Sequence, residues 1–385
     1  MIEILSYYWV KMRNIECNNW SLPCRQKVLL MRILQMKDFT KLNQPTGRTI
    51  YLDGREYLFF GGTSYLGLAT NPEYTELFIE GLKRYGINNG TSRSNNVQQA
   101  IFDEAEQYAA QRFGFEYSLL LSSGYLAAQF VVKALSAEGE LLYAPSCHPS
   151  LWKNQNPDVS GNFENWGKQT VDYINQASET SFVIISNSLD NMKPMRYDFS
   201  IFSRISKEKK VVLLLDDSHG IGVLYKDGLS LLPQDLPEGN IELIVVASLA
   251  KGLATDAGLI LANKKRIEAF RRSNFYTGAS PSSPAALHAF VYGEHIYRQQ
   301  FDRLQANILH FANVSAGKCN LKSIPHFPVF SSQDTGLYTR LVEAGILVSS
   351  FPYPLPTDPL LNRIVINAHH KPEDLELLGR AMSIS

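Results

Sequence analysis

Two apolar runs in the second half of the chain end in side chains that can do chemistry. The run from Val211 is followed by Asp216 and, three residues later, by His219, and the next run ends shortly before Lys251. A short apolar run followed by polar residues and glycine is typical of a buried parallel strand that ends at a binding site. A lysine amine can bond to an aldehyde, and a carboxylate beside a pyridine nitrogen keeps that nitrogen protonated. These are the requirements of pyridoxal 5'-phosphate, so Asp216 and Lys251 are candidates to bind it.

The elements that must position these residues are strands that alternate with helical segments. The pattern begins with YSLLLSSGYLAA, which predicts a strand to Leu121 and a helix from Tyr125, and it continues through four more strand-like runs to DAGLILAN. Such alternation predicts a parallel sheet with ligands at the carboxyl ends of its strands. We therefore expect an α/β protein in which helices cover both faces of a large, mostly parallel sheet.

The flanking segments predict further elements. A hairpin turning at Asp53-Gly54 precedes a helix from Glu73, and apolar spacing predicts another helix from Val97 to Phe113. After residue 264 a long helix over 283–312 leads into a small α/β unit. The predicted divisions are an N-terminal extension (1–36), an N-terminal segment (37–85), a large cofactor-binding domain (86–282), and a connector helix with a small C-terminal domain (283–385).

Charge and cysteine usage exclude several classes of function. Lys+Arg and Asp+Glu are equal at 37 each, so nothing indicates binding to nucleic acid or to an anionic membrane. The aliphatic runs are too short to span a bilayer, and the 4 cysteines form neither a CxxC motif nor a disulfide pattern. We expect a cytoplasmic protein without a metal site.

Several motifs resemble the α-oxoamine synthases, a family of fold-type I pyridoxal-phosphate enzymes. DDSHGIGVL from Asp216 and SLAKGLATDAG from Ser248 resemble the family's cofactor motifs, and SSGYLAA resembles its phosphate turn. YLDGREYLFF with SYLGLA resembles its entry segment, and NRIVINAHHKPEDLELL resembles its C-terminal domain. The resemblance runs from about Gly47 to Leu378 and implies a fold-type I transferase.

The resemblance assigns cofactor roles to residues of this chain. Lys251 would form the Schiff base and move the proton at Cα, Asp216 would pair with the pyridine nitrogen, and His219 would reach the ring hydroxyl. His148 would stack on the ring, with a helix cap as the alternative. Ser123, Gly124, Tyr125 and Ser248 would hold the phosphate, Ser188 would lie near the ring hydroxyl unless it caps its strand, and Thr277 would be supplied by a partner subunit.

The amino acid is expected to bind through Arg363. This residue precedes His370 by seven positions and matches the arginine that grips the substrate carboxylate in the family, and a planar guanidinium suits that task. The alternative is an arginine on the surface of a strand.

The implied reaction is a condensation with loss of carbon dioxide. A homodimer with shared active sites would join a small amino acid, alanine first, to an acyl thioester of CoA or of a carrier protein. The segment from Gly90 to Arg93 resembles the branch that forms 8-amino-7-oxononanoate more than the 2-amino-3-ketobutyrate CoA ligase branch. An aminotransferase or lyase on the same scaffold, and a non-catalytic partner subunit, are the alternatives.

The family pattern changes at Thr63-Ser64, at Phe102 and in YAPSC before His148. These positions surround the expected thioester entrance, so the resemblance leaves the second substrate undefined.

Overall fold

The structure is a computed structural model that describes residues 39–239, 241–318, 320–352 and 359–382. The predicted extension over 1–36 lies outside these residues. The helices are α1 (Pro72–Tyr85), α2 (Ile101–Arg112), α3 (Gly124–Leu135), α4 (Phe163–Gln176), α5 (Lys264–Arg271), α6 (Asn274–Gly278), α7 (Pro284–Tyr292), α8 (Glu294–Ser315), α9 (Leu337–Glu343) and α10 (Pro372–Ala381). The strands are β1 (Thr49–Leu52), β2 (Arg55–Phe60), β3 (Tyr117–Leu121), β4 (Glu140–Tyr143), β5 (Ser181–Asn187), β6 (Leu189–Asp190), β7 (Met195–Arg196), β8 (Lys210–Asp216), β9 (Ile241–Ser248), β10 (Gly258–Ala262), β11 (Val329–Ser332), β12 (Ile346–Pro352) and β13 (Leu360–Val365).

The larger sheet has the strand order β3-β10-β9-β8-β5-β4. Strands β4, β5, β8 and β9 are mutually parallel, as the alternating pattern predicts. The strand DAGLILAN was expected to continue the parallel series, and this is wrong, because β10 runs antiparallel to both of its neighbours. Its reversal brings Gly258 beside Ser248 and Leu121, so the start of β10 lies at the edge where its neighbours end.

Helices cover both faces of this sheet because successive strand residues point to opposite sides. Leu213 and Leu215 pack into a core shared with α2 and α4, whereas Leu214 packs into a second core with α3 and α5. Between β8 and β9, residues 217–239 form turns and a short 3₁₀ helix in place of a helical crossover. These turns carry His219 at the carboxyl edge of the sheet.

The second sheet joins the two ends of the described chain. Its order is β1-β2-β12-β13-β11, and β2 pairs in parallel with β12. The predicted hairpin at Asp53-Gly54 therefore belongs to the same sheet as the C-terminal strands. Arg48 adds a bidentate ion pair, with Nε and Nη2 at 2.7 and 2.6 Å from the Asp374 carboxylate on α10. The domain boundaries proposed from the sequence stay a prediction.

Two helix predictions need correction. The helix expected from Val97 begins at Ile101, because the preceding polar side chains bond to their own loop: Asn95 Oδ1 accepts the N–H of Val97, and Gln98 donates to the Ser92 carbonyl. The long helix over 283–312 is two helices, α7 and α8, which meet at Gly293.

Within the described ranges, none of the helices combines the length and apolarity that a membrane span requires.

Candidate active site

The turn before α3 lies at the carboxyl edge of the larger sheet. Ser123 caps the helix by accepting the N–H of Leu126 at 3.2 Å. A Cβ on Gly124 would stand 2.4 Å from Cβ of Ser248, and a Cβ on Gly258 would stand 2.0 Å from the Ser123 carbonyl oxygen. The glycines therefore let the turn approach β9 and β10 directly. Since the first N–H groups of a helix have no intrahelical acceptor, this end can hold an anion.

Asp216 is the last residue of β8, and each of its carboxylate oxygens has a hydrogen-bond partner. Oδ1 accepts the N–H of Ser218 at 2.9 Å, and Oδ2 lies 3.3 Å from the hydroxyl of Ser150. Ser218 in turn accepts the N–H of Ser248 at 2.8 Å. These bonds set the carboxylate in one orientation and connect it to Ser248 at the end of β9.

His148 lies against the same carboxylate. Its Nδ1 is 2.7 Å from the Ser150 hydroxyl and accepts the Ser150 N–H at 3.2 Å, so the ring also caps the short helix that starts at Pro149. Asn187 Oδ1 accepts the N–H of His148 at 3.0 Å. Desolvation lowers the pKa of His148, with Asp216 opposing the shift and Lys251 adding to it. The ring is therefore neutral at neutral pH.

His219 joins the two sheets through Tyr65. The hydroxyl of Tyr65 is 2.8 Å from His219 Nδ1 and accepts a hydrogen bond from Arg363 Nη2 at 2.7 Å. Arg363 also donates Nη1–H to the Gly62 carbonyl at 2.9 Å and is only 5% exposed. It is thus buried beside the site, which excludes the alternative of a surface arginine.

Lys251 follows β9 in a half-buried loop. Its pKa is lowered, first by desolvation; Asp216 opposes the shift and Arg363 reinforces it. A lysine whose pKa is lowered reaches its neutral, nucleophilic form closer to physiological pH. Asp216 influences the pKa of Lys251, and Lys251 influences the pKa of His148 and of His219, which supports a shared site for these four predicted residues.

The hydroxyl of Ser188 bonds to Asp217, which is not one of the predicted site residues. Its hydroxyl donates to Asp217 Oδ1 at 2.6 Å, and its N–H donates to the Asp216 carbonyl. Asp217 is buried and also accepts the N–H of Ser230 at 2.9 Å. The hydroxyl of Ser188 therefore supports the strand end in this structure, as expected of a cap, and its role near the ring hydroxyl stays a prediction.

Thr277 and Tyr125 are not engaged with the other predicted residues in this chain. Thr277 lies in α6, where its hydroxyl donates to the Ser273 carbonyl and its own carbonyl accepts the N–H of Ser94. Tyr125 is 60% exposed at the first turn of α3. A role for Thr277 in a partner's site stays a prediction.

Sequence reasoning missed the residues that hold the predicted ones in place. They are Tyr65, Ser150, Asn187, Asn191 and Ser218. The signal for Ser150 is its position after His148-Pro149, where a serine enters the first turn of a helix. The sequence has no comparable signal for Tyr65, which contacts His219 across 154 positions.

The fold and site define a fold-type I pyridoxal-phosphate transferase. The capped turn that needs Gly124, the held carboxylate of Asp216 and the lysine of lowered pKa fit the phosphate, ring nitrogen and aldehyde of that cofactor. The chain belongs to the aminotransferase class I and II family, whose model matches residues 63–381. It is a pyridoxal-phosphate-dependent enzyme of the α-oxoamine synthase type.

Curated relatives cover most of the chain. An 8-amino-7-oxononanoate synthase of Aliivibrio fischeri strain MJ11 is 25% identical over 363 residues, covering 89% of this chain and 92% of its own. One from Erwinia tasmaniensis is 25% identical and covers 94% and 98%, respectively.

Solved structures share the fold. A lysine-to-alanine variant of a serine palmitoyltransferase from S. paucimobilis, with a bound aldimine of pyridoxal phosphate and myriocin, has a TM-score of 0.77 at 17% identity, covering 93% of this chain and 95% of its own. An 8-amino-7-oxononanoate synthase from Francisella tularensis has a TM-score of 0.64 at 18% identity, covering 85% of this chain and 97% of its own.

Among the described residues, no group of three or more His, Cys, Asp or Glu side chains could hold a metal ion.

Proposed function

We propose that this enzyme condenses a small amino acid, alanine first, with an acyl thioester and releases carbon dioxide and the free thiol. The observation that carries the proposal is the buried guanidinium of Arg363, linked through Tyr65 to His219. A buried arginine beside an aldehyde-binding lysine is suited to the carboxylate of an amino acid. Relatives named 8-amino-7-oxononanoate synthase support a pimeloyl thioester, on CoA or a carrier protein, and hence a step of biotin formation.

Each proposed site residue has a role that follows from the chemistry of its side chain. Pyridoxal phosphate, when bound, supplies an aldehyde that bonds to amines and a protonated ring that draws electrons from Cα. Lys251 would hold that aldehyde until the amino acid replaces it and would then carry the Cα proton. Asp216 would keep the ring nitrogen protonated, and Arg363 would bind the substrate carboxylate.

The remaining residues orient the cofactor. Ser123, Gly124 and Tyr125 would hold the phosphate at the N-terminus of α3, with the hydroxyl of Ser248 beside them. His148 would cover one face of the ring, and His219 would face the ring hydroxyl.

We propose that the thioester enters through a cavity of about 500 Å³ near Lys251. Its lining includes Gly62, Thr63, Ser64, Ala250 and Asp256. Thr63 and Ser64 are among the positions at which the family pattern changes, so this cavity would select the acyl donor. Its shape in this chain, and not the cofactor residues, would set the second substrate.

The test is an assay of the purified, pyridoxal-phosphate-loaded protein. Alanine, glycine and serine are each combined with short, medium and long acyl thioesters of CoA and of a carrier protein, and thiol release, carbon dioxide and the amino ketone are measured. We expect thiol and carbon dioxide in equal amounts with at least one pair. If no pair releases thiol above the level of Lys251→Ala, the proposal is wrong.

An aminotransferase is the second candidate, because the matching family model describes aminotransferases. The same samples decide it. An aminotransferase converts one equivalent of amino acid per bound cofactor to the 2-oxo acid without a thioester, because the amino group passes to the cofactor, whereas a synthase forms amino ketone only when the thioester is present. A non-catalytic partner subunit would do neither.

We also propose that the enzyme is a cytoplasmic homodimer with shared active sites. The exposed apolar side chains of Ile87, Val97 and Tyr125 support a face that is covered by a second copy. Sedimentation velocity measures the oligomeric state directly. We expect a dimer that Tyr125→Glu weakens, whereas a monomer at micromolar concentration would contradict the proposal.

A further inference from the structure

Tyr65 is the buried centre of a hydrogen-bonded chain that crosses between the two sheets. Its hydroxyl lies 2.7 Å from Arg363 Nη2 and 2.8 Å from His219 Nδ1. Tyr65 is fully buried, and burial raises the pKa of its phenol, so the hydroxyl keeps its proton. A buried O–H that donated to nothing would destabilise the folded protein. The phenol proton must therefore have an acceptor.

The chemistry of the two partners decides where that proton goes. A guanidinium can only donate, so Arg363 cannot accept it. Of the two hydrogen-bond partners of the Tyr65 hydroxyl described above, this leaves His219 Nδ1 as the acceptor. An Nδ1 that accepts is unprotonated, and a neutral imidazole then carries its hydrogen on Nε2.

The surroundings of His219 favour that neutral ring. Desolvation, followed by the charges of Lys251, Arg363 and His148, holds the pKa of His219 well below its ordinary value. Asn191 Nδ2 lies 3.0 Å from Nε2 and 3.2 Å from Nδ1. The oxygen and nitrogen of an amide exchange places by a half-turn about Cβ–Cγ, and an Nε2–H donor selects the oxygen.

We infer that Tyr65 is a positioning residue that holds His219 in its Nε2–H tautomer and at the same time orients the guanidinium of Arg363. His219 then presents a donor to an anionic oxygen, such as the ring hydroxyl oxygen of the cofactor. One phenol group thereby links the site of the amino-acid carboxylate to the site of the ring. The link to the carboxylate rests on the proposed function, whereas the tautomer does not.

The first test uses the cofactor-free protein and no substrate. Histidine labelled with ¹⁵N is incorporated, and ring resonances are observed by long-range ¹H–¹⁵N correlation, with His219→Gln identifying the signal of His219. We expect a protonated Nε2 and an unprotonated Nδ1 in the wild type. A protonated Nδ1 in the wild type would overturn the inference, whatever the enzyme's reaction is.

The second test removes only the hydroxyl, by Tyr65→Phe. Losing a donor to neutral Nδ1 should mix the tautomers and raise the pKa of His219 in the same spectra. In the loaded enzyme, KM for the amino acid should rise on the order of tenfold, the usual effect of losing a hydrogen bond to a charged group. Unchanged ring shifts together with an unchanged KM would contradict the role of Tyr65.

The matched control is Tyr297→Phe. Tyr297 is also a buried tyrosine whose hydroxyl is hydrogen-bonded, to Tyr74 and to the Phe290 carbonyl, and neither partner is a predicted site residue. The Tyr297→Phe variant should leave the chemical shifts of the His219 ring nitrogens unchanged. A shift of equal size in both variants would show a general effect of losing a buried hydroxyl and would overturn the inference. If no amino ketone forms but the tautomer is as expected, the proposed function fails and the positioning role stands.

Discussion

Gly124 lies so close to Ser248 that a Cβ at position 124 would stand 2.4 Å from the serine Cβ. The contact joins the first residue of α3 to the last residue of β9. It is the reason why the proposed phosphate turn can reach the edge of the sheet.

Replacing that glycine should weaken cofactor binding. In Gly124→Ala the turn must move away from β9, because the nearest atoms are the Cβ, Cα and N of Ser248, which cannot rotate aside. We expect the Kd for pyridoxal phosphate to rise at least on the order of tenfold, since the phosphate bonds depend on geometry. The measurement is a fluorescence titration of the cofactor-free protein. Gly228→Ala, which meets its nearest neighbour only at 4.0 Å, is the control and should bind normally.

Lys251→Ala should abolish covalent attachment of the cofactor. Borohydride reduction of the loaded wild type should add the mass of the reduced cofactor to the peptide that contains Lys251, and the variant should show no addition. Loss of the group that moves the Cα proton should also lower kcat on the order of a thousandfold. Lys265→Ala, an exposed lysine of α5, should keep both properties. Attachment at another lysine in the wild type would contradict the assignment.

Asp217 should make stability depend on pH below neutrality. Burial raises the pKa of this carboxyl to about 6, against the hydrogen bonds from Ser188 and Ser230. Because the folded state then binds the proton more tightly than the unfolded chain, the free energy of unfolding decreases as pH rises from about 4 to about 6. A shift of about two pKa units corresponds to about 3 kcal/mol.

The comparison that isolates this effect is with Asp217→Asn. Urea unfolding of both proteins across that pH range should show the wild type losing stability relative to the variant as pH rises. Asp172→Asn, at an exposed position of α4, is the matched control. A constant difference between wild type and Asp217→Asn would refute the prediction.

Glu106 should be essential for stability. It is buried, and it bonds to Arg271 at 2.7 Å, to the hydroxyl of Tyr276 at 2.8 Å and to Arg93 at 3.3 Å. Removing one partner of a buried ion pair costs about 3–5 kcal/mol. Glu106→Gln should therefore lower the urea midpoint clearly. Glu164→Gln, which removes an exposed pair with Lys168, should leave the midpoint almost unchanged.

Much of the larger domain could be predicted from local patterns. Strands such as β8 and β9 are unbroken apolar runs because both of their faces are buried, and the polar residues after them belong to the edge where ligands bind. This is why Asp216, His219 and Lys251 could be named together. The antiparallel direction of β10 could not be predicted in this way. A strand buried on both faces has the same apolar pattern whether it runs parallel or antiparallel to its neighbours.

The fine assignment of side chains was decided by tertiary contacts. Ser188 has the position expected of a residue near the ring hydroxyl, but the buried Asp217 takes its hydrogen bond. Buried carboxylates attract every available donor, since an unsatisfied one is costly. The motif alone cannot show to which of the neighbouring carboxylates a serine hydroxyl will donate its hydrogen bond.

The sequence by itself determined the class of fold and, through motifs that resemble a known family, the cofactor. It also named the candidate residues of the site, because strand burial and strand-end polarity are local properties of the chain. Only the tertiary structure decided how those residues are held. Tyr65 meets His219 across 154 positions and Arg363 across 298, through sheets that pair the first described strands with the last. Contacts of that range depend on how whole sheets pack, and no local pattern of residues encodes them.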